Sequence, residues 1–262
     1  MNSTIALLTD FGTKDHFVGV LKAVIININP HAHTIDLCHE VSSFDILEGA
    51  LLLERSYRYF PKKTIFLIVV DPGVGSARKA IILKTKDYIF VAPDNGILTL
   101  IAQENRQNHI FEITNPRYFL KTISSTFHGR DIFAPVVAHL SRGTALKNFG
   151  PRQKTLKTLN IPTPKIDKKT QQINGKIIYI DKFGNLVTNI RQNGLRGRKN
   201  LLIRIKDKAI HGLSHSYSNA PKGQLLAITN SMGYLEIALN HDSASHFLNA
   251  KKGGKVKLSF TT

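Results

Sequence analysis

The chain has 262 residues, of which 42% are hydrophobic, and it carries a formal net charge of +18. This length suits two unequal domains, and no apolar run approaches the about 20 residues that a membrane-spanning helix needs. Because Cys38 is the single cysteine, an internal disulfide is excluded, and a cytoplasmic location with no membrane partner is expected.

The first 150 residues alternate short, β-branched runs with amphipathic runs. Strands are predicted at residues 5–8, 34–37, 64–70, 79–83, 88–91 and 109–113. Helices are predicted at residues 17–28, 45–60, 96–105 and 130–142. The run at 64–70 is apolar at nearly every position, which is typical of a central strand covered on both faces. The alternation predicts an α/β N-terminal domain, residues 1–160, with a largely parallel sheet.

The pattern changes near residue 151. Residues 151–169 are rich in Pro, Lys and Thr and are predicted to form a linker. Strand-like runs then recur at residues 175–179, 186–189, 201–205, 224–229, 235–238 and 256–260. Few helical patterns separate them, so residues 170–262 are predicted to form a small, all-β, barrel-like domain.

The basic excess is concentrated in the C-terminal region, where residues 166–262 hold 16 basic and 5 acidic residues. A basic RNA-binding barrel is therefore an alternative function, to be tested by steeply salt-dependent RNA binding. The basic cluster at 196–199 has no interleaved aromatic residues of the kind that stack on bases. A solvated basic surface is the preferred interpretation, and no nucleic acid partner is expected.

Three carboxylates, those of Asp10, Asp71 and Asp94, each follow a predicted strand. Ligands of open α/β sheets bind where parallel strands end, so these side chains are candidates for one site. Turn formation and helix capping are the structural alternatives. A divalent-metal-dependent hydrolase and a site for a polyhydroxylated ligand such as ribose both stay open, since carboxylates serve either use.

His128 lies in the segment TFHGRD, directly before a helix-like run. An imidazole titrates near neutrality, so His128 is a candidate acid or base, with a simple helix-entry loop as the alternative. The three histidines around Cys38 match no zinc-binding spacing, and surface positions are the preferred interpretation for them. The nearby glycine-rich segment at 73–76 matches no phosphate-binding loop.

Seven segments occur in the order of a known family: LLTDFGTKDHFVG, DLCHEV, VDPGVGSAR, APDNG, TFHGRDIFAPVVAHL, YIDKFGNLVTNI and NSMGYLEIA. Together they resemble the S-adenosyl-L-methionine hydroxide adenosyltransferases, also called SAM hydrolases, which are related to fluorinase and chlorinase. The resemblance runs from about residue 5 to residue 260. It implies in-line SN2 hydrolysis of S-adenosyl-L-methionine to adenosine and L-methionine, without a metal or other cofactor. It also implies a homotrimer in which one subunit's first domain and its neighbour's second domain share each site.

The resemblance places the family's catalytic Asp, Arg and His on Asp71, Arg78 and His128. The halogenases lack this trio and carry an additional loop in the first domain that is not found in this sequence. Water is therefore the expected nucleophile, with halide as the alternative.

The resemblance also implies substrate-binding residues in the first domain. Asp10 is expected to bind the ribose hydroxyls, and Asp15 is expected near the methionine end. Phe44 is expected to form an apolar wall, and Phe127 is expected to line the ribose region.

In the second domain, the resemblance places Asp181 and Ser231 at the methionine ammonium and carboxylate. Phe183 and Asn185 are expected to bind adenine by stacking and hydrogen bonding. Met232 follows Ser231 where the halogenases carry Arg, so the contacts to the carboxylate depart from the halogenase pattern.

Overall fold

A computed structural model describes residues 4–105 and 107–261. The chain divides into two compact units, with the boundary between Asn160 and Ile161. In the described residues no helix combines the length and hydropathy that crossing a bilayer requires.

The first unit contains a seven-stranded sheet in the order β2-β1-β3-β5-β4-β6-β7. Its strands are β1 (Thr4–Thr9), β2 (His33–Cys38), β3 (Ile65–Val69), β4 (Ala80–Lys84), β5 (Ile89–Pro93), β6 (His109–Glu112) and β7 (Arg152–Gln153). Strands β2, β1, β3 and β5 pair in parallel, whereas β4, β6 and β7 join by antiparallel pairings. The α/β class is confirmed, and the sheet is mixed but mostly parallel.

Helices cover both faces of this sheet. They are α1 (Phe17–Ile28), α2 (Ile46–Ser56), α3 (Thr99–Glu104) and α4 (Ala134–Ser141). Buried side chains of α1 and α4, such as Leu21 and Val137, share one core with Leu7 and Leu67 of the central strands. On the other face Phe66 stacks on Phe90 with 5.0 Å between ring centroids. Burial on both faces explains why 64–70 contains no polar position after Thr64.

The ends of two helices differ from the sequence prediction. The run predicted at 45–60 is α-helical only to Ser56 and continues as a 3-10 turn at Tyr57–Tyr59. The run predicted at 130–142 begins with a π-helical turn at Gly129–Phe133, which directly precedes α4. The spacing of apolar residues in the sequence does not distinguish a 3-10 turn or a π-helical turn from an α-helix.

The second unit is an antiparallel sheet in the order β12-β11-β15-β9-β10-β14-β13, with β8 paired to β9. Its strands are β8 (Lys165–Asp167), β9 (Gln172–Ile180), β10 (Leu186–Arg191), β11 (Lys199–Ile205), β12 (Lys208–His211), β13 (Leu225–Thr229), β14 (Tyr234–Leu239) and β15 (Lys255–Thr261). A bridge between Ser214 and Ile228 brings the two edges together, so the barrel is nearly closed. This confirms the all-β, barrel-like class.

Several short elements were not predicted. The segment interpreted as a linker contains β7, which pairs with β6, and β8, which pairs with β9. The hairpin strand β12 and the one-turn helix α5 (Ala244–Phe247) were also missed. Elements of two to four residues are too short to establish a hydrophobic period.

Leu67 in the central strand β3 tests this arrangement of the core. Its side chain is completely buried, so Leu67→Ala is expected to lower the free energy of unfolding by about 2–5 kcal/mol. Urea denaturation measures the change, and Ile26→Ala, at a position that is 46% exposed, is the control. Equal effects of the two substitutions would contradict the assigned position of β3.

Candidate functional site

All three candidate carboxylates follow parallel strands that end at the same edge of the sheet. Strands β1 and β3 are parallel neighbours with Thr9 opposite Val69, so Asp10 and Asp71 follow at adjacent strand ends. Asp94 is buried, and its carboxylate accepts a hydrogen bond from the Lys157 backbone at 2.8 Å. Nowhere in residues 4–105 and 107–261 do three His, Cys, Asp or Glu side chains gather as metal ligands. Asp94 therefore has a structural partner, and the three-carboxylate metal hypothesis loses its third ligand.

Asp71, Arg78 and His128 form one hydrogen-bonded chain. Arg78 Nε lies 3.0 Å from each carboxylate oxygen of Asp71, and Arg78 Nη2 lies 2.9 Å from His128 Nδ1. The side chains of Asp71 and Arg78 are only 5% and 6% exposed. A guanidinium fixed between a carboxylate and an imidazole in this way determines the orientation of both partners.

The contact to Arg78 determines the tautomer of His128. A guanidinium only donates, so Nδ1 accepts and the ring proton is on Nε2. Burial, and next the positive charge of Arg78, lower the pKa of His128. The imidazole is therefore neutral at pH 7 and presents an N–H group at Nε2.

A glycine-containing loop returns the chain from Asp71 to Arg78. Gly75 has φ +76°, and a Cβ there would meet the Ser125 carbonyl oxygen at 2.4 Å. A Cβ at Gly73 would meet Arg78 Cγ at 3.3 Å. The two glycines thus let the loop pack against the segment that precedes His128, which brings the trio together from two loop regions.

Asp10 lies beside this trio and is held by the Phe44 backbone. The Phe44 N–H donates to Asp10 Oδ2 at 2.9 Å, and Phe44 adopts φ +67° with a side chain that is 70% exposed. Burial, and to a lesser degree the charge of Asp71, raise the pKa of Asp10, whereas the Phe44 hydrogen bond opposes the rise. The strained backbone at Phe44 therefore accompanies a contact to a candidate ligand-binding carboxylate.

Asp10, Phe44, Asp71 and His128 line a cleft of about 270 Å³ in the first unit. Phe11, Phe17 and Phe127 form an aromatic cluster in it, with centroid separations of 5.3–5.8 Å. The full lining is Asp10, Phe11, Phe17, Ser43, Phe44, Val69, Asp71, Val74, Thr126, Phe127, His128 and Gly129. Arg78 does not belong to this lining, so it reaches the cleft only through Asp71 and His128.

Asp131 shapes the loop that carries His128. Its carboxylate is completely buried and accepts the Ser124 N–H at 2.7 Å and Arg130 Nε at 2.6 Å. The π-helical turn at Gly129–Phe133 then leads into α4. Asp131 thus fixes both sides of the turn at His128.

Asp15 lies apart from the other first-unit candidates. It is exposed, in the segment between β1 and α1, and it does not line the cleft. Asp10, Phe44, Phe127 and the trio are therefore the candidates that the first unit brings together.

The second unit has its own pocket of about 480 Å³. It is lined by Asp181, Phe183, Asn185, Tyr217, Leu239, Asn240, His241, Asp242 and Ser243. Asp181 Oδ1 accepts the backbone N–H groups of Phe183 and Asn185, and Oδ2 accepts Asn185 Nδ2, all at 2.9 Å. Asp181 therefore organises the turn that presents the other two candidates.

The remaining second-unit residues divide between this pocket and a neighbouring turn. Phe183 is 75% exposed, so the face of its ring is accessible for stacking. Ser231 is in the turn between β13 and β14 and does not line the pocket. Tyr217 lines the pocket but was missed, because a lone tyrosine in a loop carries no periodic or motif signal.

The whole chain is similar to proteins of one known family. The model of the SAM hydroxide adenosyltransferase N-terminal domain matches residues 5–150, and that of the C-terminal domain matches residues 175–257. An (R)-S-adenosyl-L-methionine hydrolase of Methanocaldococcus jannaschii is 37% identical, with 98% of this chain and 95% of the relative covered. A fluorinase of Actinopolyspora mzabensis is 26% identical, with 97% and 96% covered.

A solved structure gives the same result for the fold. The crystal structure of an uncharacterized conserved protein from Thermotoga maritima is 41% identical, with a TM-score of 0.90, and the match covers 97% of this chain and 99% of that one. Both domain models match in the order and at the places where the sequence motifs occur. The chain therefore belongs to the SAM hydroxide adenosyltransferase family.

Proposed function

We propose that this protein hydrolyses S-adenosyl-L-methionine to adenosine and L-methionine. Curated relatives that carry the name (R)-S-adenosyl-L-methionine hydrolase match it over nearly the full chain. The observation that carries the proposal is the hydrogen-bonded Asp71–Arg78–His128 chain, in which the Asp71–Arg78 pair is buried and Asp71 and His128 line an apolar cleft.

The chemistry of the substrate determines what the site must supply. A sulfonium leaves ribose C5′ as a neutral thioether, so the leaving group needs neither an acid nor a Lewis acid. Water is the weak partner, because its pKa of about 15.7 makes hydroxide scarce at neutral pH. The task of the site is therefore to activate water and align it opposite sulfur, and alignment alone contributes on the order of 7–11 kcal/mol.

The hydrogen-bond polarity of the trio assigns a role to each member. The ring of His128 is an acceptor only at Nδ1, which Arg78 occupies, so its Nε2–H donates to the water oxygen. The Asp71 carboxylate is the acceptor in the trio and takes the water proton. Arg78 keeps the side chains of Asp71 and His128 oriented. An oxygen lone pair forms the O–C5′ bond while the O–H electron pair stays on oxygen, and the C5′–S pair leaves on sulfur. Asp71 then releases the proton to solvent.

The surrounding residues fit the binding of a nucleoside. A carboxylate such as Asp10 accepts hydrogen bonds from two vicinal ribose hydroxyls, and Phe44 and Phe127 form apolar walls. The exposed ring of Phe183 and the amide of Asn185 suit a purine base.

The methionine end and the assembly rest on the family resemblance. Asp15, Asp181 and Ser231 are proposed for the ammonium and carboxylate of methionine. A cytoplasmic homotrimer that needs no cofactor completes the proposal, with the first unit of one subunit and the second unit of a neighbour sharing a ligand.

The trio is tested by His128→Ala and Arg78→Lys. Each is expected to lower kcat for adenosine formation by about 10²–10⁴, because water loses its oriented donor or base. Binding of S-adenosyl-L-methionine, measured by calorimetry, is expected to stay within about threefold, since neither group holds the non-reacting parts of the substrate.

His109→Ala is the matched control for these variants. Arg152 Nη2 lies 2.7 Å from His109 Nδ1, which forms a second Arg–His pair at an exposed position on β6 and β7. This variant is expected to retain wild-type turnover. Near-normal adenosine production by either trio variant would show that the catalytic assignment is wrong.

The lowered pKa of His128 makes stability depend on pH in one direction. The unfolded chain binds this proton more tightly than the folded protein, so the stabilisation is present above about pH 6.5 and is lost as the pH falls through the folded-state value. His128→Asn removes the titration but keeps an acceptor for Arg78. The wild-type Tm is expected to fall relative to that of the variant between about pH 7.5 and pH 5. A Tm difference that does not change with pH would contradict the neutral imidazole.

The metal-dependent alternative predicts a different response to a chelator. Hydrolysis is expected to be unchanged after extensive dialysis against EDTA, because the thioether leaves without Lewis-acid assistance. The readout is the initial rate of adenosine formation, with a known zinc hydrolase as the positive control. Loss of activity that returns on addition of Mg²⁺ or Zn²⁺ would restore the metal hypothesis.

A further inference from the structure

A buried carboxylate in the second unit has no role in the proposed chemistry. Glu236 is in the middle of β14 and is only 3% exposed. It pairs across the sheet with Val187 and Ile228, which are both buried. Burial of a carboxylate is costly unless its oxygens are hydrogen-bonded, so the contacts of Glu236 must be well made.

The two oxygens of Glu236 serve two different loops. Oε1 accepts the Tyr217 hydroxyl at 2.7 Å, and Oε2 accepts Asn230 Nδ2 at 3.0 Å. Burial, and next the hydrogen bond to Glu236, raise the pKa of Tyr217, so its hydroxyl stays a protonated donor. One carboxylate thus orders a pocket wall and the start of the β13–β14 turn.

The hydrogen bonds of Asn230 also determine the orientation of its side-chain amide. Asn230 Oδ1 accepts the backbone N–H groups of Met232 and Tyr234, each at 3.1 Å. This arrangement requires the amide nitrogen to point at Glu236. The carboxylate therefore keeps in one conformation the turn that presents Ser231.

We propose that Glu236 is a positioning residue for substrate binding, which couples Tyr217 in the pocket wall to the Ser231 turn through one buried carboxylate. This inference rests on the proposed function and assigns Tyr217 and Asn230 to the same unit. Glu236 contacts no ligand itself and acts on the non-reacting ends of the substrate. Its loss should therefore raise KM and leave kcat nearly unchanged.

An exchange of carboxylate and amide tests the coupling. Asn230→Asp alone places a second carboxylate next to that of Glu236 and removes the hydrogen bond between the two side chains. KM is expected to rise about tenfold or more, which corresponds to the loss of one hydrogen bond to a charged group. Glu236→Gln leaves one acceptor oxygen for two donors, the Tyr217 hydroxyl and the Asn230 amide. One of these hydrogen bonds is therefore lost, and KM is expected to rise severalfold. In the double variant N230D/E236Q, the new amide would donate to the new carboxylate and accept from Tyr217, so KM is expected to return towards the wild-type value.

The control is Glu104→Gln in the first unit. Glu104 accepts the Tyr57 hydroxyl at 3.1 Å and pairs with Arg58, and it does not line the cleft. This substitution is expected to lower Tm without changing KM, which separates a merely structural effect from positioning. Folded single variants with wild-type KM, or a double variant no better than N230D, would overturn the proposal.

Binding of adenosine and of methionine by calorimetry gives a readout without turnover. The single variants are expected to weaken binding by the factors found for KM, and the double variant to recover it. Wild-type protein that binds both products but does not hydrolyse S-adenosyl-L-methionine would refute the proposed function and leave this inference intact. Binding unchanged in the single variants would refute the inference alone.

Discussion

The arrangement of the site depends on the hydrogen bonds that the Arg78 guanidinium makes. The guanidinium is buried between the carboxylate of Asp71 and the imidazole of His128, and it has hydrogen bonds to both. Removal of one partner from a buried ion pair costs about 3–5 kcal/mol, because it leaves the other charge buried without a counter-charge. In the proposed mechanism this geometry makes His128 the donor and Asp71 the acceptor for the attacking water molecule.

The fold supplies the framework for this interaction. Parallel pairing of β1 with β3 places Asp10 and Asp71 at adjacent strand ends, and the glycine loop returns Arg78 to Asp71. The π-helical turn before α4 adds His128 from a distant part of the chain. Rigid strands thus position the acceptor, and packed loops position the donor. The aromatic residues of the cleft lower its polarity and so strengthen the electrostatic interactions within it.

Much of this could be predicted from the sequence. Apolar runs such as 64–70 identified the central strands, and the recurrence of carboxylates after them indicated the edge of the sheet at which the cleft lies. The antiparallel β4 was not distinguished from a parallel strand, because strand direction leaves no trace in a five-residue apolar run. The polarity of the trio also could not be predicted, since the tautomer of His128 depends on which ring nitrogen faces Arg78.

The second unit shows the limits of motif reasoning more clearly. Asp181, Phe183 and Asn185 form one turn whose spacing is visible in the sequence. Tyr217 and Glu236 are 19 positions apart and meet only because a loop folds over the barrel, so no local pattern connects them. The motif NSMGYLEIA contains both Asn230 and Glu236, yet its ligand role was assigned to Ser231 and not to the buried carboxylate that orders its turn.

The central claim is that a water molecule held by the trio forms the new bond to ribose C5′. Incubation with S-adenosyl-L-methionine in oxygen-18 water, followed by mass spectrometry of both products, tests it directly. One oxygen-18 atom is expected in the 5′-hydroxyl of adenosine and none incorporated enzymatically into methionine. Adenosine without the label, or a 5′-halogenated adenosine formed when chloride or fluoride is present, would contradict the account.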